Sequence, residues 1–556
     1  MSAKGVSLFS EAVYGRYLLF IAGMGGLLYG IDVGIISAAL LYLGKTVSLT
    51  VEQTSLIVAA VLGGSMLSSL VAGFLADWLG RKTMMAVSGF LFVTSVGLIV
   101  LSHGFIPLFL GRLLQGISGG VIAVVVPLYL AECLSAKHRG RGSAIFQLML
   151  TVGIVIASFA GFYYTHQAET AIAAAASNAV LIRAAQDHAW RSMFLSVVYP
   201  GLIFFFGSFF LSETPRWLFK HGSTEAALTA LRRSSPESEA ILQLHEMQAL
   251  ATQNEDKKTS GVSGSLLQRK YILPFALACI ILACNQATGI NSILAYLVII
   301  LKQAGMTAQR ATQGDLAVKL LNCLMTVVAV ALIDKKGRKF LLTLGTAGII
   351  IALSVAGFLF HSFESKRVDI RADVQQQVHG NALALPLHSI HGGTDEGPMG
   401  LTVLYNYGSG DKVVAALSTE GDGTLRIAPE GTSAPLVIKH ASYGPIPNET
   451  TGWWIALCIA LFIASFSVGP GVVVWLTLSE LMPTRIRSGG MGIALLINQG
   501  VSTVIAGVFL PVVGAFGYFA MFGFWALCTV VYFITAVFFL PETKGKTLEE
   551  IELSFE

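Results

Sequence analysis

The sequence predicts an all-α membrane protein: twelve transmembrane helices in two six-helix bundles, with an outside insertion of small β character. Three observations predict it. The 556 residues are 54% hydrophobic and 12% charged, with a mean hydropathy of +0.71, too little charge to cover a soluble chain of this length. Apolar runs of about 20 residues recur along the chain, each long enough to cross a bilayer as a helix. Two charge motifs each occur twice, in the same order.

The runs lie near 17–38, 55–76, 84–102, 105–131, 143–164, 193–211, 271–301, 316–333, 340–361, 452–480, 489–512 and 516–540. The first is too long for a cleavable signal and leads straight into the second. It includes "GGLLYGIDVGIISAAL" (25–40), where Asp32 stands alone among apolar and small residues. A carboxylate at membrane depth costs ~2.5–3.5 kcal/mol on insertion scales, so it needs a partner or a task. "DWLGRK" follows the second run, placing Asp77 and Arg81 four apart, and "DKKGRK" follows the eighth with Asp334 and Arg338. "AECLSAKHRG" follows the fourth, with Glu132 and Arg139 seven apart, and "SELMPTRIRS" follows the tenth with Glu480 and Arg487.

This duplication divides the chain into a first bundle (1–212), a polar linker (213–270) and a second bundle (271–556). It also locates the insertion. Asp77 and Glu132 are 55 positions apart, whereas Asp334 and Glu480 are 146 apart. The polar segment 363–450 accounts for the excess. Its "GLTVLYNYGSGDKVVAALSTEGDGTLRIAPEGTSAPLVIKH" alternates apolar and polar residues between Gly, Asp and Pro, so short strands and turns are expected there, after a helix near 365–378. Asn448-Glu449-Thr450 matches a glycosylation sequon, a weak signal at three residues. The linker is amphipathic at helical spacing, which predicts short helices along the membrane that bridge the halves.

Arg81, Lys82, Lys137, Arg139, Arg141, Lys335, Lys336, Arg338, Lys339, Arg485 and Arg487 fall in short loops on one side, against Lys45 and Arg310 on the other. The asymmetry predicts that both termini are cytoplasmic; the expected location of this multi-pass protein is the cell inner (plasma) membrane. The six cysteines lie in or beside the runs, so neither a disulfide nor a metal site is expected. No nucleophile motif, phosphate loop or metal spacing points to an enzyme. His103 and His361 stand singly at helix ends.

"GRLLQGISGG" (111–120), "PLYLAECLSAKHRG" (127–140), "SETPRWL" (212–218), "QATGIN" (286–291), "DKKGRK" (334–339), "VGPGVVVWLTLSE" (468–480) and "PETKGKTLEE" (541–550) together resemble the sugar porter family of the major facilitator superfamily. The resemblance spans the transmembrane part, and the insertion has no counterpart in it. It implies a monosaccharide transporter, for a hexose or pentose, whose two bundles rock to expose a central site alternately to each side. Small sugar and membrane lipid are then the partners, with no nucleic acid, no cofactor and a monomer as the working unit. Interruptions at Gly289 and at "GPG" (469–471) independently suggest broken helices beside a substrate site.

A sugar calls for uncharged donors and acceptors in an apolar wall. Gln147, Asn285, Gln286, Asn291, Asn322, Asn498 and Gln499 offer amides within the runs, and Trp475 offers an aromatic face. The resemblance assigns Gln147, Gln286, Asn291, Asn322, Trp475 and Asn498 to sugar contacts. As plain interhelical glue such amides are worth about 0.6 kcal/mol each. On an unbroken helix Gln286 and Asn291 point about 140° apart, so a break at Gly289 is needed to join them. Asn285, Ala295 and Gln499 depart from the family's usual Gln, Tyr and Trp.

Arg112 is the expected partner of Asp32. In proton-coupled sugar porters the matching Asp takes up the proton and the Arg modulates it, so the resemblance implies proton:sugar symport driven by the proton gradient. A static ion pair is the plainer reading, and Val197 stands where certain symporters carry a second carboxylate. A facilitative uniporter and a transporter-like sugar receptor are the alternatives. Lys319 either pairs with Asp315 at the outer end of its helix, its stem snorkelling, or faces the cavity beside Asn322 and alters substrate choice or coupling. The duplicated motif residues, Asp77, Arg81, Glu132, Arg139, Asp334, Arg338, Glu480 and Arg487, are expected to form a cytoplasmic gate across the two halves.

Overall fold

The computed structural model describes residues 11–134, 136–175, 178–234, 236–245, 247–248, 269–390, 399–408, 410–418, 423–428, 434–474, 481 and 487–542. Among the described residues twelve helices are long and apolar enough to cross a membrane: α1 (Val13–Thr46), α2 (Val51–Leu79), α3 (Arg81–Val100), α4 (Phe105–Cys133), α5 (Ile145–Ala174), α6 (Ala179–Phe209), α7 (Ile272–Gln303), α8 (Ala308–Leu332), α9 (Arg338–Glu364), α10 (Glu449–Val474), α11 (Gly490–Phe516) and α12 (Tyr518–Phe539). In the first half α1 packs on α5, and α2 and α3 pack on α4; in the second, α9 packs on α12 and α7 on α11. The halves meet where α2 touches α11 and α5 touches α8, two contacts that exchange when each helix is replaced by its counterpart in the other half, α2 by α8 and α5 by α11. The repeat read from the motifs is therefore a repeat in space.

The small residues around Asp32 have a packing purpose. A Cβ built at Gly26 or Gly30 would run into the backbone of Phe146 or Leu150 on α5, and one at Gly153 into that of Leu27 on α1. Close approach of this kind supplies the van der Waals contact that holds helices together in lipid. Gly64 and Gly116 do the same for α2 and α4.

Three sharp turns reuse one device. Gly80, Gly337 and Gly517 adopt φ of 95°, 89° and 85° with ψ near 150–170°, a region open essentially to glycine alone. Each precedes a helix whose first amides bond a distant carboxylate. Glu213 accepts from the Arg81 and Lys82 amides, Glu542 from Arg338 and Lys339, and Glu364 from Tyr518 and Phe519. Negative charge at a helix N-terminus is favourable. Burial raises the Glu213 carboxyl above its ordinary pKa, and the amides of Thr214, Lys82 and Arg81 oppose that shift. Gly80→Ala is expected to destabilise the protein by about 1–3 kcal/mol, read as a lowered melting temperature of the purified protein.

Helices α5 and α6 extend well past the predicted runs, to Ala174 and back to Ala179. Hydropathy marks where apolar residues stop, but the Ala-rich flanks continue the helix, and Asn178 caps α6 through the amides of Val180 and Leu181. The linker helices Pro215–Lys220 and Thr224–Ser234 lie on the first half and do not bridge the two. Trp217 donates to the Asp77 carbonyl, and the Arg233 guanidinium sits over the Tyr14 ring.

The insertion folds as a β module between α9 and α10. Strands β1 (Val368–Asp369), β3 (Met399–Asn406), β4 (Asp411–Leu417) and β6 (Val437–Pro445) form an antiparallel sheet in the order β1-β6-β3-β4, and β2 (Leu383–Pro386) pairs with β5 (Thr424–Ile427). The expected helix shrinks to Arg371–Gln376. Asn448 of the sequon is the N-cap of α10, accepting from the Thr451 amide. A cavity of about 510 Å³ lies beneath the sheet, lined by Thr402 and His440 of the module, Thr50 of the first half and Gln303 and Tyr518 of the second. Below, the insertion face carries this module, and the motif face carries residues 80–82 and 337–339.

Candidate functional site

Two interrupted helices shape the centre of the molecule. Helix α7 stops at Ala287 and restarts at Ile290, with Gly289 in the left-handed region at φ 82°, where a Cβ would strike the Trp525 ring. Helix α10 passes through a π-turn at Ser467–Gly471. Between them lies a cavity of about 170 Å³ lined from both halves, by Tyr29, Gln147 and Thr151 of the first and by Asn285, Gln286, Asn291, Asn322, Ser467, Asn498 and Gln499 of the second. It is smaller than the ~300–1,000 Å³ of drug-sized sites, which suits a small solute.

The break at Gly289 brings the two amides together: Asn291 Nδ2 donates to Gln286 Oε1 at 3.0 Å and to Ser502 Oγ at 2.8 Å. Gln286 Nε2 donates to Asn498 Oδ1 at 3.3 Å, and Asn498 in turn donates to the Leu282 carbonyl. Asn285 is spent on the Pro470 carbonyl in the π-turn, and Asn322 accepts from Ser467. Gln147 makes no hydrogen bond with another described residue, and Gln499 Oε1 is buried without a partner. Buried amides with spare capacity are what a hydroxyl-rich ligand requires. Trp475 lies outside the described residues.

Asp32 stands behind this wall. Tyr29 and Val33 line the cavity, while Asp32 turns toward α4, where Arg112 Nη1 donates to its Oδ1 at 3.1 Å and to Gln115 Oε1 at 2.7 Å. Both members of the pair are 1% exposed. Among the described residues Asp32 Oδ2, Arg112 Nε and Gln115 Nε2 have no partner, so the pair is buried yet incompletely satisfied.

A sequence profile of the family described as "Sugar (and other) transporter" matches residues 18–375 and 436–555. The chain belongs to this family. The unmatched stretch falls inside the β module. Among curated relatives, the glucose transporter GlcP of Staphylococcus epidermidis is 28% identical over 97% of this chain and 96% of its own, and the human proton myo-inositol cotransporter is 26% identical over 96% and 81%. Among solved structures, the partially occluded inward-open xylose transporter XylE from E. coli superposes with a TM-score of 0.67 at 19% identity, over 96% of this chain and 99% of that one. The fold is that of the major facilitator superfamily, and the protein is a multi-pass membrane transporter of the sugar porter type.

Only part of the expected gate falls within the described residues. Arg81 binds Asp77 at 2.6 Å, Glu132 at 2.9 Å and the Ala76 carbonyl at 3.0 Å, while Glu132 also accepts from Thr214 and Asp77 pairs with Lys220. All of these partners belong to the first half or to the start of the linker that packs on it. Among the described residues these three form no bridge to the second half, and Arg81 Nε is buried without a partner. Arg338 contributes its amide to Glu542. Glu480 lies outside the described residues, as do the side chains of Arg139, Asp334 and Arg487.

Lys319 does not line the cavity, and it does not snorkel. Its Nζ lies 2.8 Å from Asp315 Oδ1 and 3.2 Å from the Gly34 carbonyl on α1, and the residue is 0% exposed. Tyr29, Thr151, Ser467, Ser502 and Gln115 were not singled out from sequence. Hydroxyl residues are common in membrane helices, and only the position of Tyr29, one turn before Asp32, offered a signal.

Gln286→Ala is expected to weaken sugar binding by about tenfold, since it strips Asn291 and Asn498 of partners as well as the ligand. Isothermal titration of the purified protein checks it.

Proposed function

We propose that this protein carries a monosaccharide, a hexose or a pentose, across the inner membrane by alternating access, in symport with protons and without a cofactor. One observation carries the reading: seven uncharged amides from both halves surround one small cavity, with a buried, half-satisfied Asp32–Arg112 pair directly behind its wall. Xylose and glucose, which relatives' names carry, support that class, and inositol, a cyclic polyol of similar size, is a further candidate. Burial favours the neutral acid and the guanidinium favours the anion, so a modest shift of α1 against α4 suffices to change which form is stable. The basic loops support a cytoplasmic position for both termini and the motif face, and a single chain is taken as the working unit.

Counterflow into proteoliposomes, against a panel of hexoses, pentoses, polyols and uronates, identifies the substrate. External alkalinisation during uptake of that substrate reports symport. Uptake that leaves external pH unchanged points to a uniporter, and binding without counterflow points to a receptor.

A further inference from the structure

Lys319 and Asp315 sit on one face of α8, a helix of the second half, yet their contacts reach the first. Lys319 Nζ donates to the Gly34 carbonyl at 3.2 Å, and Ser37 Oγ donates to Asp315 Oδ1 at 3.0 Å. Ser37 also accepts from the Val298 amide of α7 at 3.2 Å, so one α1 hydroxyl joins two helices of the other half. Nearer the insertion face, Gln309 of α8 meets His166 of α5 at 3.1 Å. The carboxylate and ammonium neutralise each other, and the ion pair is fully buried where the halves meet. A buried pair is a poor source of stability compared with apolar packing, so its retention calls for another reason.

We propose that Asp315 and Lys319 form the latch of the transport cycle on the insertion face. The pair clasps α1 while the halves are closed there and must release Gly34 and Ser37 before that face opens. Hydrogen bonds to charged groups are among the stronger ones in proteins, and here they form only in the closed arrangement. The position couples the latch to the acid. Gly34 and Ser37 face α8, while Asp32, less than two turns away on the same helix, faces α4. A displacement of α1 that follows a change at Asp32 is thereby felt at Lys319. The coupling to Asp32 rests on the proposed symport, whereas the latch itself does not.

The test uses the full chain in liposomes, spin-labelled through unnatural amino acids at Glu52 and Arg310, which are exposed on the insertion face of opposite halves. Electron–electron resonance then gives the distance between them. In Lys319→Met the ratio of open to closed separations is expected to rise about tenfold. The double variant Asp315→Leu/Lys319→Met leaves no unpaired charge and should fold, yet it still lacks both cross-half bonds, so it is expected to open equally. A closed distribution like the wild type in the double variant overturns the proposal, because the two charges then serve only each other. Failure of the symport reading registers separately, as absent alkalinisation in the wild type while the label distances still respond to Lys319→Met.

Discussion

Asp32→Asn is expected to abolish accumulation of sugar against its gradient while sparing exchange between equal pools. The amide keeps the shape of the side chain and one acceptor for Arg112, so the wall formed by Tyr29 and Val33 stays in place. What disappears is the capacity to gain and lose a proton. In proteoliposomes with an imposed pH gradient the accumulation ratio should fall to unity, and counterflow should persist. Truncating one member of a buried pair leaves the other uncompensated, at about 3–5 kcal/mol. The melting temperature must therefore be read beside the fluxes. Accumulation equal to wild type would place coupling elsewhere.

Gly153→Leu is expected to prevent folding altogether. A Cβ there already meets the α1 backbone at Leu27 and Ile31, and a full leucine would drive the two helices apart along their shared seam. Overpacking costs typically ~1–3 kcal/mol, and more where backbone is the obstacle. Since α1 also holds Asp32 and the partners of Lys319, the loss reaches beyond one contact. Size-exclusion chromatography in detergent should show aggregate in place of a monodisperse peak. Gly97→Leu is the control: nothing lies within 4 Å of a Cβ at that position on α3, and normal behaviour is expected.

Much of this architecture was legible because a bilayer imposes severe rules. Polar groups inside apolar runs are costly, so the amides of α5, α7, α8 and α11 stood out, and the structure gathers them around one cavity. Helix breaks need glycine or proline, so Gly289 and the "GPG" stretch announced the interruptions. Other features obeyed rules that a linear sequence hides. The Arg81 guanidinium had several acidic candidates, and only geometry shows that Asp77 and Glu132 bind it. Lys319 carried the same four-residue spacing from Asp315 whether it faced lipid, cavity or a neighbouring helix, and its partner on α1 is 285 positions away. The carboxylates that seat α3 and α9, Glu213 and Glu542, lie in matching "SETP" and "PETK" segments, a third repeat that became visible once both were seen capping helices.

The β module is rooted at both ends in the second half, yet Lys412 donates to Ser48 and Gly410 rests against Thr50 in the α1–α2 turn. Any parting of the helices on that face must peel the sheet from this turn like a hinged awning. The cavity beneath the sheet is lined by the module and by helices of both halves, so its walls must move apart with them.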